Sequence, residues 1–348
     1  MVHVACRRWL RRRGLKLAGP FLALAVLALT HPAVGQQQWV EAAKGEGRVT
    51  VYGGIQPDVM EVIAKIFQGR YGIRVDYWRA SASAVADRVV SETRVGRPLF
   101  DVVEATTDTM ELMKAAGAFQ RFRPEGAEAL FTGRGWRDPF MSPPYRILIT
   151  ALLYNTRLVP AAELPRSYLE LLDPKWRGRL VMPDPRRNVG VVLWLYQMRE
   201  VLGRDYRRFL EGLAQQNPAF VESFAPVPFR VISGEFPMGI GFLHYVPLYR
   251  SQGAPVGYVP VSPMLAQGTH VALGAHAAHP NAGRLFIETL LSRAALLAIA
   301  QAGEFVTLPG VRPPLEGVER LQIRVIPVLG EERIREFRRE LESVFGRR

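Results

Sequence analysis

The chain has 348 residues, of which 48% are hydrophobic and 22% charged, and its formal net charge at pH 7 is +13. These proportions exclude a disordered protein, a collagen-like chain and a multi-pass membrane protein, and the length predicts roughly two domains. The single cysteine, Cys6, excludes an internal disulfide and any multi-cysteine metal centre.

The N-terminal segment has the composition of an export signal. Six basic residues within positions 7–16 precede the apolar run Leu17–Leu29, and the small residues Ala33-Val34-Gly35 follow it. This order predicts a cleaved signal peptide over residues 1–35 and a periplasmic or otherwise extracytoplasmic protein, with an uncleaved anchor as the alternative. Because Arg7-Arg8-Trp9-Leu10 is also similar to a twin-arginine signal, the general and twin-arginine export routes both stay open.

The basic residues of the remaining chain are mostly arginines scattered among Asp and Glu. No block of five like charges occurs there, and basic residues do not alternate with aromatic ones. Such scattered charges are typical of solvated helix faces, so we expect no nucleic-acid partner.

After Trp39 the sequence alternates between predicted strands and helices. Three β-branched or apolar runs predict strands at Arg48–Tyr52, Ile73–Tyr77 and Asp101–Glu104. Each is followed by a helical pattern, the first of which begins at Pro57, the position that proline favours in a first turn. Three β–α units in succession predict a parallel sheet with right-handed crossovers, and therefore an α/β fold.

The second half of the chain continues this alternation. The apolar run Ile147–Asn155 is long for one strand and is interpreted as a segment that crosses from one lobe to another. The other predicted elements are a short helix over Pro165–Trp176, a strand at Arg179–Met182, a helix over Val189–Leu202, strands at Phe236–Phe242 and Val271–Leu273, helices near Asn281–Leu291 and through Ala302, and a terminal amphipathic helix from Ile334 to Phe345.

Sequence motifs for catalysis are missing. The chain has no GxSxG elbow, no HExxH, no P-loop lysine and no GxGxxG on a strand–helix turn. His270, His276 and His279 are near one another in sequence, but their spacings of six and three fit no common metal-ligand pattern. We therefore expect a protein that is not an enzyme and that carries neither a cofactor nor a metal.

Small polar residues follow each of the first three strands, at Gly53–Gln56, Ser81–Ser83 and Thr106-Thr107. The carboxyl ends of parallel strands lie along one edge of a sheet, where helix N-termini present unpaired N–H groups and the positive end of the helix dipole. The pattern predicts a binding edge for an anionic or polar ligand. The alternative is that Ser83 and Thr107 only cap their helices.

Several stretches, in the right order, resemble one known family. They are Val49-Thr-Val-Tyr52, Phe100-Asp-Val-Val103, Leu153-Tyr-Asn-Thr-Arg157, Leu171-Leu-Asp-Pro-Lys-Trp-Arg-Gly178, Val181-Met-Pro-Asp-Pro185, Gly234-Glu-Phe-Pro-Met-Gly239 and His279-Pro-Asn281. On these stretches the chain is similar to the periplasmic solute-binding proteins of ABC importers, in the ferric-iron-binding-protein-like group.

This resemblance implies a type II periplasmic-binding-protein fold, in which two α/β lobes enclose a ligand cleft that closes by a hinge motion. It implies a discontinuous first lobe of residues 36–148 and 265–348 and a second lobe of residues 149–264. The expected partners are a small-molecule ligand and an ABC permease of the inner membrane, and we expect the protein itself to be a monomer.

The resemblance also bears on the ligand. Iron-binding members use adjacent tyrosines late in the second lobe, where this chain has Leu243-His244-Tyr245. Gln56 and Thr106 stand where a histidine and a carboxylate would be, so the remaining iron ligands are Tyr52, His244 and Tyr245. Since phenolate suits ferric iron better than histidine does, we expect a small anionic organic solute instead.

That solute would be held by serines, threonines and a nearby arginine. The predicted ligand-binding residues are Tyr52, Gly53, Ser81, Ser83, Thr106, Thr107, Asn188, Ser223, His244 and Tyr245. The alternatives are a ferric-iron transport protein and, on the same fold, an extracytoplasmic enzyme or sensor.

Overall fold

The computed structural model describes residues 33–130 and 136–346 of the chain. Residues 1–32, which hold most of the predicted signal peptide, lie outside the described residues, so cleavage and export route stay predictions. Within the described ranges, no helix combines the length and the apolar composition that crossing a membrane requires.

The described residues build a mixed β-sheet of eleven strands. Its main path runs β2-β1-β3-β9-β4-β7-β5-β6, while β8 and β10 pair with β4 and β11 pairs with β9. In chain order the strands are β1 (Arg48–Gly53), β2 (Arg74–Arg79), β3 (Val102–Thr106), β4 (Arg146–Asn155), β5 (Leu180–Pro183), β6 (Ala219–Val221), β7 (Met238–Phe242), β8 (Val256–Val259), β9 (Met264–Leu273), β10 (Phe305–Val306) and β11 (Ile323–Val325).

Eleven α-helices accompany the strands in the described ranges. They are α1 (Ala33–Glu46), α2 (Pro57–Tyr71), α3 (Ala82–Arg94), α4 (Thr107–Ala115), α5 (Val189–Leu202), α6 (Tyr206–Gln215), α7 (Pro226–Ile232), α8 (Tyr245–Arg250), α9 (Pro280–Leu290), α10 (Arg293–Gln301) and α11 (Glu331–Phe345). The single helix predicted over Pro165–Trp176 is wrong, because that stretch forms separate 3₁₀ turns at Tyr168–Leu172 and Pro174–Trp176. Pro174 has no N–H to continue the first turn.

The first three β–α units are present as predicted. Strand β1 pairs in parallel with both β2 and β3, and each of these strands leads into a helix. Helix α2 begins at Pro57 and ends at Gly72, whose φ of 72° lies in the left-handed region that glycine adopts without strain. Ser81, rather than Ser83, caps α3 by accepting the N–H of Ala84 at 3.3 Å.

Strands β4 and β9 connect the two lobes. The predicted crossing segment forms the single strand β4, whose first half pairs with β9 and β10 and whose second half pairs with β7 and β8. Strand β9 in turn pairs with β3 through Thr269–Leu273 and with β4 through Leu265–Thr269. The sequence predicted only the last three residues of β9.

Each lobe has its own hydrophobic core. In the first lobe α2, α9 and α10 pack together, and Phe67 contacts Phe286 edge-on with ring centroids 5.4 Å apart. In the second lobe Trp194 and Phe209 meet in the same way at 6.1 Å, beside the fully buried Trp176. Burial of each such side chain stabilises the fold by about 1.5–3 kcal/mol.

The C-terminal helix differs from the expected lobe assignment. Residues 265–348 were expected in the first lobe, but α11 packs on α5 and α6 of the second lobe. The apolar stripe Ile334, Phe337, Leu341 and Phe345 recurs at helical spacing and joins the second-lobe core. Before this helix the chain runs beside β9 and touches the first lobe, where the N–H of Leu329 donates to Asp108 Oδ1 at 2.9 Å.

Candidate functional site

A cavity of about 80 Å³ lies where the two lobes meet. The first lobe lines it with the ends of β2 and β3 and the first turns that follow them. The second lobe contributes the start of α5 and the residues after β6 and β7, and the crossing strands β4 and β9 supply the floor. The site is therefore built from both lobes and from the two strands that connect them.

Seven of the ten predicted ligand-binding residues line this cavity. They are Ser81, Ser83, Thr106, Asn188, Ser223, His244 and Tyr245. Asn188 has a structural role as well, because its Oδ1 caps α5 by accepting the N–H of Val191 at 3.2 Å. The structure brings together residues that lie up to 164 positions apart, from Ser81 to Tyr245.

Tyr52 does not line the cavity. Its hydroxyl donates to Glu92 at 3.2 Å, and its ring packs against Trp78 and under the guanidinium of Arg88. Burial and the nearby Glu92 raise the pKa of Tyr52 to about 12. The candidate iron set of Tyr52, His244 and Tyr245 is therefore not assembled, and the described residues contain no cluster of three His, Cys, Asp or Glu that could hold a metal ion.

Thr107 also lies behind the cavity rather than in it. Its Oγ1 is 2.9 Å from His270 Nε2 and 3.2 Å from the carbonyl oxygen of Gly268. His270 Nδ1 donates to the carbonyl of Ser142 at 2.8 Å, and burial lowers the pKa of this histidine. The Thr107 hydroxyl thus links the start of α4 to β9 by hydrogen bonds.

Gly53 does not line the cavity, but its lack of a side chain leaves space for the neighbouring carboxylate of Glu104. A Cβ on Gly53 would lie 2.3 Å from Glu104 Oε1, whereas a Cβ on Gly54 would have no atom nearer than 3.5 Å. Glu104 Oε1 occupies this space because it accepts the N–H groups of Gly54 and Ile55, the latter at 2.8 Å.

Replacing Gly53 by alanine should lower the free energy of unfolding by about 1–3 kcal/mol, because the methyl group overpacks the site of Glu104. Urea unfolding of the purified protein measures this loss. Gly54→Ala is the matched control and should cost clearly less, since its methyl group has room. Equal losses for the two variants would contradict the close approach at Gly53.

A buried ion network that the sequence did not predict lies under the cavity. Arg146 bridges two carboxylates, donating to Glu104 Oε2 and to Glu304 Oε2 at 3.1 Å each. Tyr145 donates to the same oxygen of Glu104 at 3.3 Å. Burial raises the pKa of Glu304, but the guanidinium of Arg146 opposes this and the pKa is lowered overall. The charge of Arg146 is thus already compensated inside the protein.

Three polar atoms at the cavity are buried without a hydrogen-bond partner among the described residues. They are Arg79 Nε, His244 Nδ1 and Thr269 Oγ1. Burial lowers the pKa of His244 and thereby favours the neutral imidazole. Arg79 has no carboxylate partner in the described ranges. It is the last residue of β2, a strand that the sequence predicted without identifying Arg79 as a site residue.

Tyr245 has a partner from the opposite lobe. Its hydroxyl accepts a hydrogen bond from Gln56 Nε2 at 3.2 Å, and burial raises its pKa. The phenol is therefore held neutral. Its partner Gln56 occupies the position at which the resemblance to iron-binding proteins implied a histidine. This contact links the two lobes across the cavity.

Comparisons with known proteins identify the relatives of this chain. Residues 48–303 match the family model described as bacterial extracellular solute-binding protein. The substrate binding protein of an ABC transporter from Agrobacterium tumefaciens superposes with a TM-score of 0.75 at 18% identity, covering 86% of this chain and 94% of its own.

Two further solved structures are similar in fold. The periplasmic binding protein AfuA from Actinobacillus pleuropneumoniae, with fructose-6-phosphate bound, gives a TM-score of 0.71 at 19% identity and covers 86% and 97% of the two chains. Iron-bound HitA from Pseudomonas aeruginosa gives 0.69 at 20% identity and covers 84% and 99%. Relatives of one fold thus bind chemically different solutes.

Proposed function

Because the chain belongs to the bacterial extracellular solute-binding protein family, we propose that it is the substrate-binding component of an ABC importer that captures a small anionic organic solute in its interlobe cleft. The similarity to solved structures confirms the expected type II periplasmic-binding-protein fold, with two α/β lobes around a cleft.

The main evidence for an anionic solute is that Arg79 lacks an ion-pair partner among the described residues. Its guanidinium lines the cavity and forms no ion pair with any described residue, whereas Arg146 is bound by two carboxylates. A half-buried cation without a partner is unfavourable, and it gains most from a carboxylate or phosphonate that accepts its hydrogen bonds.

The surroundings of Arg79 support this assignment. The N-termini of α3, α4 and α5 open towards the cavity through Ser81, Thr106 and Asn188. Unpaired N–H groups and helix dipoles at these ends favour negative charge, and Ser83 and Ser223 add hydroxyl donors.

Hinge closure would trap the solute. Since both lobes and the crossing strands line the cavity, a bound solute would hold the lobes together and exclude water from Arg79. We propose that the protein is exported through its signal peptide over residues 1–35, acts as a monomer, and delivers its solute to an inner-membrane permease without catalysing a reaction.

Replacing Arg79 by glutamine should abolish solute binding. A thermal-shift panel of acetate, lactate, succinate, inorganic phosphate and ferric citrate provides the probes. An anion at 100 times its Kd stabilises the native protein by about 2.7 kcal/mol, so the unfolding temperature should rise for wild type and stay unchanged for Arg79→Gln.

Arg97→Gln is the matched control, because this exposed arginine lies outside the cavity and should leave the shift intact. A shift that only ferric citrate produces, with a phenolate-to-iron colour that Tyr245→Phe removes, would overturn the proposal in favour of iron. A shift from an anion that persists in Arg79→Gln would show that this side chain is not the anchor.

A further inference from the structure

In the part of the chain that the structure describes, the cavity offers one unpaired cation, Arg79, to a solute. Glu104 and Glu304 enclose Arg146, so this buried group of three carries a net charge of −1. Each oxygen of Glu104 already accepts two donors, and Glu104 therefore offers nothing to a cation. Among the described residues that line the cavity, Arg79 is the cation with no carboxylate partner. A second negative charge on the solute would therefore have no described cation to pair with and would lie near a group of net charge −1.

The cavity also presents neutral groups that need a hydrogen-bond partner. Thr269 and His244 are only 1% and 4% exposed, and Thr269 Oγ1 has no hydrogen-bond partner among the described residues. His244 Nδ1 has none either, because Glu304 Oε2 is 3.7 Å away, too far for a hydrogen bond. An unsatisfied buried polar atom costs about 1–3 kcal/mol. Because a hydroxyl donates and accepts, and a neutral imidazole has one nitrogen of each kind, a hydroxyl or carbonyl on the solute satisfies them without adding charge.

The remaining walls are apolar and close together. Leu148 rises from β4, and Phe224 stacks on Phe242 with ring centroids 4.0 Å apart. Since a single water needs about 10–15 Å³ of such space, a cavity of about 80 Å³ encloses several non-hydrogen atoms. The part of the solute that the cavity encloses is therefore short.

We propose that the cleft selects a short monocarboxylate that carries a neutral hydroxyl or carbonyl group, in preference to dianions and to unsubstituted carboxylates. This specificity rests on the proposed function, because it assumes that Arg79 binds the carboxylate. Thr269 and His244 then receive the neutral group, and the net negative charge beneath them disfavours a second carboxylate.

A four-carbon series tests this specificity with one change at a time. The probes are butyrate, 3-hydroxybutyrate, 4-hydroxybutyrate and succinate, titrated calorimetrically into the full protein. At least one hydroxybutyrate should bind tenfold or more tightly than both butyrate and succinate. Thr269→Val, which keeps the shape of the side chain, should reduce that advantage at least threefold while leaving the affinity for butyrate unchanged.

Thr150→Val is the matched control. Thr150 is also a buried threonine with an unpartnered hydroxyl, but it does not line the cavity, so the preference should stay intact. Tightest binding of succinate, or an unchanged preference in Thr269→Val, would overturn the proposed specificity. Either result leaves the proposed function standing if Arg79→Gln still abolishes binding.

An experiment in which none of the four acids binds would also distinguish the two proposals. If inorganic phosphate binds in an Arg79-dependent manner while none of the acids does, the monocarboxylate specificity is wrong and anion capture stands. If neither phosphate nor any acid changes the unfolding temperature, both proposals fail.

Discussion

Replacing Arg146 by alanine should lower the free energy of unfolding by about 3–5 kcal/mol, because two fully buried carboxylates lose the cation between them. The network sits on β4, which belongs to both lobes, so the loss should affect the folding of the whole chain. Urea denaturation followed by far-ultraviolet circular dichroism measures it, and the midpoint should fall while the slope stays the same.

An exposed ion pair provides the comparison for this variant. Arg74 meets Asp76 at 2.8 Å with its side chain 62% exposed, and Arg74→Ala should cost little because water and salt screen such a pair. A loss for Arg146→Ala no larger than that for Arg74→Ala would contradict the role of Arg146 as the cation that the two buried carboxylates share.

Replacing Leu341 by alanine should cost about 2–5 kcal/mol, because the fully buried side chain leaves a cavity between α11 and the second-lobe core. The effect is expected although Leu341 is far in sequence from Trp194 and Phe209, two aromatic residues of the same core. Thermal unfolding followed by tryptophan fluorescence suits this variant, since Trp194 lies in the same core.

Arg339→Ala tests the opposite, exposed face of the same helix and should change stability by no more than about 0.5 kcal/mol. If Leu341→Ala lowered the free energy of unfolding no more than Arg339→Ala does, α11 would not be part of the second-lobe core.

Local signals in the sequence account for much of the fold. Pro57 and Gly72 mark the two ends of α2, and apolar residues at helical spacing mark its buried face. Most of the long strand β9 escaped prediction because all of its residues are buried, so the alternation that identifies a half-exposed strand is missing. The lobe to which α11 belongs depends on which apolar surface lies within reach, and no local pattern contains that information.

The predicted site shows the same division. Strand ends followed by helix starts predicted Ser81, Ser83 and Thr106, because that geometry follows from a parallel sheet alone. Tyr52 was placed at the site by the resemblance to iron-binding proteins instead, and its side chain points to the face of β1 that α3 covers.

Arg79, Arg146 and Thr269 escaped prediction because their importance depends on which partners they have or lack. Arg146 becomes structural only through Glu104 and Glu304, which lie 42 and 158 positions away. Arg79 becomes a candidate anchor only because no such carboxylate reaches it. Pairing of this kind is a property of the folded chain.

The position of α11 gives the molecule a convenient pair of reporter sites. The C-terminal half of α1 packs on the first-lobe core through Val40 and Ala43, whereas α11 packs on the second-lobe core. Since Cys6 is the only native cysteine, thiols introduced at the exposed Glu41 and Glu336 would carry a donor and an acceptor dye on different lobes. Because the proposed hinge closure moves the lobes relative to each other, energy transfer between the dyes would report solute binding, and neither labelled residue lines the cleft.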